Sequence, residues 1–345
     1  MTLIYFILIL GVTIFIHELG HFIFAKKAGV YIYEFSLGMG PKIFSFNRKN
    51  DETTYAIRLI PLGGFVQMAG EEITFDEEIP EERRMQSKTW LQRFLTITAG
   101  CVFNFIFALV LMFVVGIFYG SPELKPYIGQ SLEGYPAFEA GIEEGDLILS
   151  INGEKMRTAD DVLLKLELIS KETSSSFKVQ KADGNIETYQ ILPKKEMIEG
   201  EEQYKFGLTF TTKQNYGLGA TIKFTFVKFS STVKSMAQVI GNLITGNLGL
   251  NKLAGPVGIY NIVGEGAKGG LANILLLTAF LSINVGFVNF IPFPAFDGGR
   301  LLFLIIEKIK GSKVNPKVEN IIHSIGFALL MLLMLFITIQ DITRL

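Results

Sequence analysis

His17, Glu18 and His21 stand inside an apolar run that extends over residues 3–25. Charged side chains are costly there, at about 2.5–3.5 kcal/mol near the centre of a membrane helix. Their spacing supplies a reason. His17-Glu18-Leu19-Gly20-His21 reads HExxH, and residues four apart on a helix face the same way. Two imidazoles so placed can bind one Zn2+ while Glu18 takes a proton from water beside it. A helix with buried, satisfied histidines is the plain alternative, and it leaves three polar groups in lipid without a task. Two histidines do not complete a catalytic zinc site, which typically takes three protein ligands. Asp297 is the other candidate in an apolar setting. Pro292 and Pro294 stop regular helix before it, and Gly298 and Gly299 after it let backbone approach closely. An acid at a broken helix within a membrane usually lines a polar cavity. His323 opens a later apolar run with no partner at motif spacing, so it reads as an interfacial or packing residue, as does Cys101.

The elements that must position these residues follow from how apolar sequence is distributed. The chain has 345 residues, 49% apolar and 19% charged, with a mean hydropathy of +0.37. Its 32 Lys and Arg against 33 Asp and Glu leave a net charge of −1, which argues against a nucleic-acid partner. A single cysteine permits no internal disulfide. Four apolar runs, at 3–25, 94–118, 271–296 and 321–339, are each long enough to span a bilayer. A signal peptide is the plain alternative for the first and fits it badly: no basic segment precedes it, no small-x-small site follows, and Lys26 and Lys27 close it. Lys26, Lys27, Arg83, Arg84, Lys88, Arg93, Arg300, Lys308, Lys310, Lys313 and Lys317 all fall on one side if the spans alternate. That side should be cytoplasmic and both termini external.

The long segment between the second and third runs has a different character. Turn signals at Glu133-Gly134, Asn152-Gly153 and Asp183-Gly184 separate β-prone stretches at 147–151 and 176–179. Residues 159–169 carry apolar side chains at helical spacing, so a small α+β domain is expected over about 127–212. Residues 221–244 mix apolar positions with Lys223, Lys228 and Lys234. They suit an amphipathic helix on a membrane face or over the enzyme core, or equally a buried soluble helix. The expected fold is therefore an α-helical polytopic membrane protein with about four transmembrane helices. Its divisions are 1–118 with HExxH, 119–215 for the α+β domain, 216–270 as an amphipathic helical linker region, and 271–345 with Asp297.

These features resemble the site-2 protease family of intramembrane zinc metalloproteases, especially its bacterial regulator-of-sigma-E branch, over nearly the whole chain. The carrying motifs are HExxH at His17–His21 and the segment Asn289 to Gly299, which matches NxxPxPxxDGG with Phe296 where Leu is usual. Phe35 to Lys42 and Ile60 to Met68 resemble the family's cytoplasmic β-hairpin region, which is thought to present extended substrate. Tyr135 to Glu154 resembles the family's extracytoplasmic PDZ domains, with room for one such unit where the best-known branch has two. Leu253 to Ile259 resembles the GPxGI stretch, to which no chemical task is assigned.

The resemblance implies hydrolysis of peptide bonds within transmembrane segments, with His17, His21 and Asp297 holding Zn2+ and Glu18 as general base. Asn289 is implied as a hydrogen-bond donor to substrate backbone or oxyanion, with Asn284 the weaker candidate. The implied partners are the lipid bilayer and single-pass membrane proteins already shortened by another protease, such as anti-sigma factors or signal-peptide remnants. The implied location is a bacterial cytoplasmic membrane. A catalytically silent membrane PDZ scaffold would not need both histidines, Glu18 and Asp297 together. A transporter would be expected to show internal repeats, and none is found.

Overall fold

A computed structural model describes residues 1–71, 78–169, 171–198 and 201–343. Along the chain run α1 (Thr2–Lys27), α2 (Trp90–Phe118), α3 (Pro136–Glu139), α4 (Ala159–Leu168) and α5 (Leu218–Ile244). They are followed by α6 (Pro256–Lys268), α7 (Gly270–Phe290), α8 (Asp297–Lys310) and α9 (Pro316–Thr343). Helices α1, α2, α7 and α9 are long and apolar enough to cross a membrane. Within the acidic stretch 71–82, which reads from sequence as a solvated loop, residues 72–77 lie outside the described ones. The chain divides into two compact units, 1–111 with 250–345, and 112–249.

In the first unit, α1 is the central element. Phe6 and Ile9 near its start pack with Val263 of α6 and Leu281 of α7. Its far end meets the sheet formed by β1 (Ile32–Asn47) and β2 (Thr54–Met68), where Ala25, Val30, Ile32, Phe35, Val66 and Met68 make a common core. The two strands bend back on themselves, so Phe35 lies against Val66 on one side and Tyr55 on the other, while Phe46 lies against Tyr55. Glycine permits the bend: Gly38 and Gly63 sit at φ +86° and +99°, a region that side chains with a Cβ avoid. Beyond the bend, Met39, Ile43, Phe44, Ile57 and Leu59 are exposed apolar residues.

The backbones of α1 and α2 touch. A Cβ on Gly20 would stand 2.5 Å from the Ala99 carbonyl oxygen. Ser282 of α7 donates to the Asn104 carbonyl of α2 at 2.9 Å, which adds the third helix. Helix α8 is amphipathic and is tied to α2 by Arg93–Glu307 at 2.6 Å and by Trp90 Nε1–H donating to the Leu304 carbonyl at 2.9 Å. The GPxGI stretch begins α6. Asp341, near the end of α9, accepts the Gly258 N–H at 2.8 Å. A Cβ on Gly255 would fall 2.8 Å from the Asp341 carboxylate, so this helix start is closed by contact with α9.

The second unit is an α+β domain. An antiparallel sheet runs in the order 154–155, 147–151, 175–180, 186–191. Ile148, Ile151, Val162, Phe177 and Val179 fill its core. Helix α4 opens with a capping box, in which Thr158 accepts from the Asp161 N–H and Asp161 from the Thr158 N–H. Helix α5 falls within this unit. It docks through its polar face: Lys228 pairs with Asp160 at 2.6 Å, Lys234 with Asp161 at 2.9 Å, and Ser231 meets Thr158 at 2.9 Å. Leu218, Ile222 and Phe226, at helical spacing, are left exposed.

Candidate metal centre

Helix α1 carries His17 and His21 one turn apart and both buried. His21 Nδ1 lies 2.8 Å from the Thr96 carbonyl oxygen of α2. A carbonyl only accepts, so Nδ1 carries the proton and Nε2 presents a lone pair. That Nε2 lies 3.2 Å from His17 Nε2. Asp297 Oδ2, at the first turn of α8, lies 3.1 Å from His17 Nε2 and 3.2 Å from His21 Nε2. Two imidazole nitrogens and a carboxylate oxygen at this spacing make a donor set that a cation can share. Tetrahedral ligands at about 2.0–2.1 Å from a zinc ion stand about 3.3 Å apart. The donor set and the triangle's edges both fit such an ion, with one vertex left over.

The chain around the cluster is built for close approach. A Cβ on Gly100 of α2 would lie 2.2 Å from His21 Nε2 and 2.8 Å from His17 Cε1, so only glycine leaves room for both rings. Gly298 and Gly299 play the same part behind Asp297, where Cβ atoms would strike the Ile291 and Phe293 carbonyl oxygens at 2.2 and 2.5 Å. Helix α7 ends at Phe290 and α8 begins at Asp297, because neither Pro292 nor Pro294 can donate to a helical ladder. The carboxylate is thereby delivered from a helix start. Cys101 is buried, with Sγ 3.8 Å from Asp297 Oδ2. It therefore borders the cluster as well as packing the helix.

A cavity of about 670 Å³ opens over the three donors, and Glu18, Gly64, Asn289 and Arg300 are also on its wall. Glu18 lies one residue from His17 and under β2, where a Cβ on Gly64 would be 3.2 Å from its Cγ. Asn289 Nδ2 donates to the Val285 carbonyl of its own helix at 3.0 Å, which fixes the amide at the cavity wall. Asn284 is not on this wall, and its Oδ1 is buried without a partner among the described residues. Arg300 pairs with Glu71 at the rim. The structure thus brings His17, His21 and Asp297 together, with Glu18 and Asn289 around the same space. Sequence reasoning missed Thr96 and Gly100. The available signal for Gly100 was a glycine inside a span, where it is unfavourable by about 1 kcal/mol unless closeness requires it.

Comparison with known proteins gives the arrangement a lineage. The profile of Peptidase family M50 matches residues 5–333. Zinc metalloprotease RasP of Bacillus licheniformis is 35% identical over 422 aligned positions, covering 100% of this chain and 99% of the relative. Regulator of sigma-W protease RasP of Bacillus subtilis is likewise 35% identical, with the same coverage. Zinc metalloprotease RasP of Geobacillus kaustophilus is 33% identical, over 99% of this chain and 98% of its own. These alignments are longer than the 345 residues of this chain, so stretches of the relatives have no counterpart here. With a match that starts in α1 and reaches into α9, and relatives aligned from end to end, the chain belongs to peptidase family M50, the site-2 protease family that its motifs resemble.

Proposed function

We propose that this protein is a zinc metalloendopeptidase that cuts transmembrane segments of other proteins within a bacterial cytoplasmic membrane. The observation that carries this reading is the triangle of His17 Nε2, His21 Nε2 and Asp297 Oδ2, with edges of 3.1–3.2 Å, two of whose corners lie on α1, a helix apolar enough to span a bilayer. Zinc, when bound, supplies a Lewis acid that polarises a carbonyl and makes water a competent nucleophile near neutral pH. His17, His21 and Asp297 hold it. Glu18 takes a proton from the attacking water and passes it to the departing amine. Asn289 offers a hydrogen-bond donor to substrate backbone or to the developing oxyanion. The names of the relatives, zinc metalloproteases and a regulator of sigma-W protease, support both the metal and a role in regulated proteolysis.

Substrates on this reading are single-pass proteins, anti-sigma factors or signal-peptide remnants, shortened beforehand by another protease. Their helices must unwind locally, because a helical peptide bond is shielded by its own backbone. The basic residues beside the spans support placing the β1–β2 sheet in the cytoplasm. Alternation of the spans then puts the α+β unit outside. Its sheet, together with the segment Tyr135 to Glu154, supports a PDZ-like domain able to take an extended chain as an added strand.

The test is metal analysis joined to turnover. Purified protein should hold about one zinc per chain, and His17→Ala or Asp297→Ala should lower that occupancy. Glu18→Gln should keep the metal and lose cleavage of a transmembrane peptide by at least about 100-fold. Wild-type turnover by Glu18→Gln, or full zinc in both ligand variants, would overturn the reading.

A further inference from the structure

Asp297 is held in place by a turn, residues 291–296, that contains two prolines and a strained alanine. Ala295 sits at φ +89° and is the one residue other than glycine or asparagine at positive φ among the described residues. Such a conformation persists only where the surroundings enforce it. The turn's own backbone does part of this work. The Ile291 N–H donates to Val288, that of Phe293 to Ile291, and that of Phe296 to Phe293, at 2.7–3.1 Å. Pro292 and Pro294 have no N–H to place.

The remaining donor is the Ala295 N–H, and it goes to a side chain from another helix. His323 Nδ1 on α9 accepts it at 3.1 Å. Three residues further on, Gly326 lets α9 rest against the same turn: a Cβ there would lie 2.3 Å from Pro294 Cβ and 2.6 Å from the Pro294 carbonyl oxygen. An accepting Nδ1 carries no proton, so the ring is in the neutral Nε2–H form. Nε2 is buried and has no partner among the described residues. The imidazole's one polar engagement is thus the strained peptide two residues before Asp297.

We propose that His323 is a positioning residue for the Asp297 ligand. By accepting the Ala295 N–H it holds the turn at its unfavourable φ and so sets where the carboxylate meets His17 and His21. The idea rests on the metalloprotease reading above and assigns His323 no contact with substrate.

The test uses the full-length protein in detergent or liposomes, with zinc affinity measured by chelator competition without substrate, and kcat and KM measured on a transmembrane peptide. His323→Leu removes the acceptor. It should weaken zinc binding about 10- to 100-fold and lower kcat, with KM within about twofold. His323→Asn places its Oδ1 near the site of Nδ1 and should recover zinc affinity to within about threefold. His323→Gln carries its oxygen further out and should resemble His323→Leu. Ala295→Gly makes positive φ easy, so adding it to His323→Leu should restore part of the lost affinity. Wild-type zinc affinity and kcat in His323→Leu would overturn the proposal. If that variant does not fold, equal behaviour of His323→Asn and His323→Gln would overturn it instead. Because the zinc arm needs no turnover, an active Glu18→Gln would defeat the protease reading while leaving this measurement decisive.

Discussion

Gly100 has no functional group, yet it decides whether the two imidazoles can converge. Its missing Cβ is the space that His21 Nε2 and His17 Cε1 occupy. Gly100→Ala should therefore reduce zinc occupancy at least about tenfold, while α2 itself, given a better helix former, stays inserted. Equilibrium dialysis on the detergent-purified variant checks this, and unchanged occupancy would mean that the rings tolerate displacement. The contrast with Glu18→Gln is useful, since one change removes the metal and the other only proton transfer. HExxH and Asp297 are legible in the sequence because an ionisable group in an apolar run has few benign explanations. Thr96 is not, because it acts through a backbone carbonyl that every residue possesses. His323 reads as a packing residue for the same kind of reason: its partner is an alanine N–H.

At the scale of elements, the β1–β2 sheet hangs on a small set of polar anchors. Asp51, in the connection between the strands, accepts from Lys26 Nζ at 2.5 Å, from the Thr53 N–H at 3.0 Å and from Tyr55 Oη–H at 2.9 Å. Burial pushes the Asp51 carboxyl up, but the Lys26, Thr53 and Tyr55 hydrogen bonds outweigh it and hold it well below the usual carboxylate range. The Tyr55 phenol is pushed up to about 12 by burial and by the Asp51 carboxylate beside it. A lowered carboxyl contributes stability that is present above its unfolded value, about 3.9, and lost as pH falls through the folded one. The connection should thus stay ordered at pH 5 and loosen only in stronger acid. Asp51→Asn should speed amide exchange over residues 47–55 several-fold at neutral pH, with α1 unaffected. The four long helices are legible because each is a near-continuous apolar run. Helix α8 is not, since its Arg300, Lys308 and Lys310 read as loop charges until the structure places them in a short amphipathic helix. The docking of α5 by its polar face inverts the usual expectation, which hydropathy alone could not have revealed.

For the whole molecule, the proposed topology makes a separable prediction about the second unit. If it screens substrates by size, replacing residues 127–212 with a flexible linker should leave zinc bound and speed cleavage of a substrate with a bulky external domain. A substrate already truncated should change by less than about twofold. If the unit recruits by strand addition, the truncated substrate should be cut more slowly as well. Assaying both substrates with one deleted enzyme decides between them. A last consequence follows from the first unit being split by the second. His17 and His21 leave the ribosome long before Asp297; at about 5–20 residues per second the interval is on the order of 14–55 s. Asp341, whose carboxylate closes the start of α6, comes later still. On the proposed function, a nascent chain therefore carries the HExxH helix into the bilayer without its third ligand, and remains inert towards neighbouring membrane proteins until Asp297 has followed.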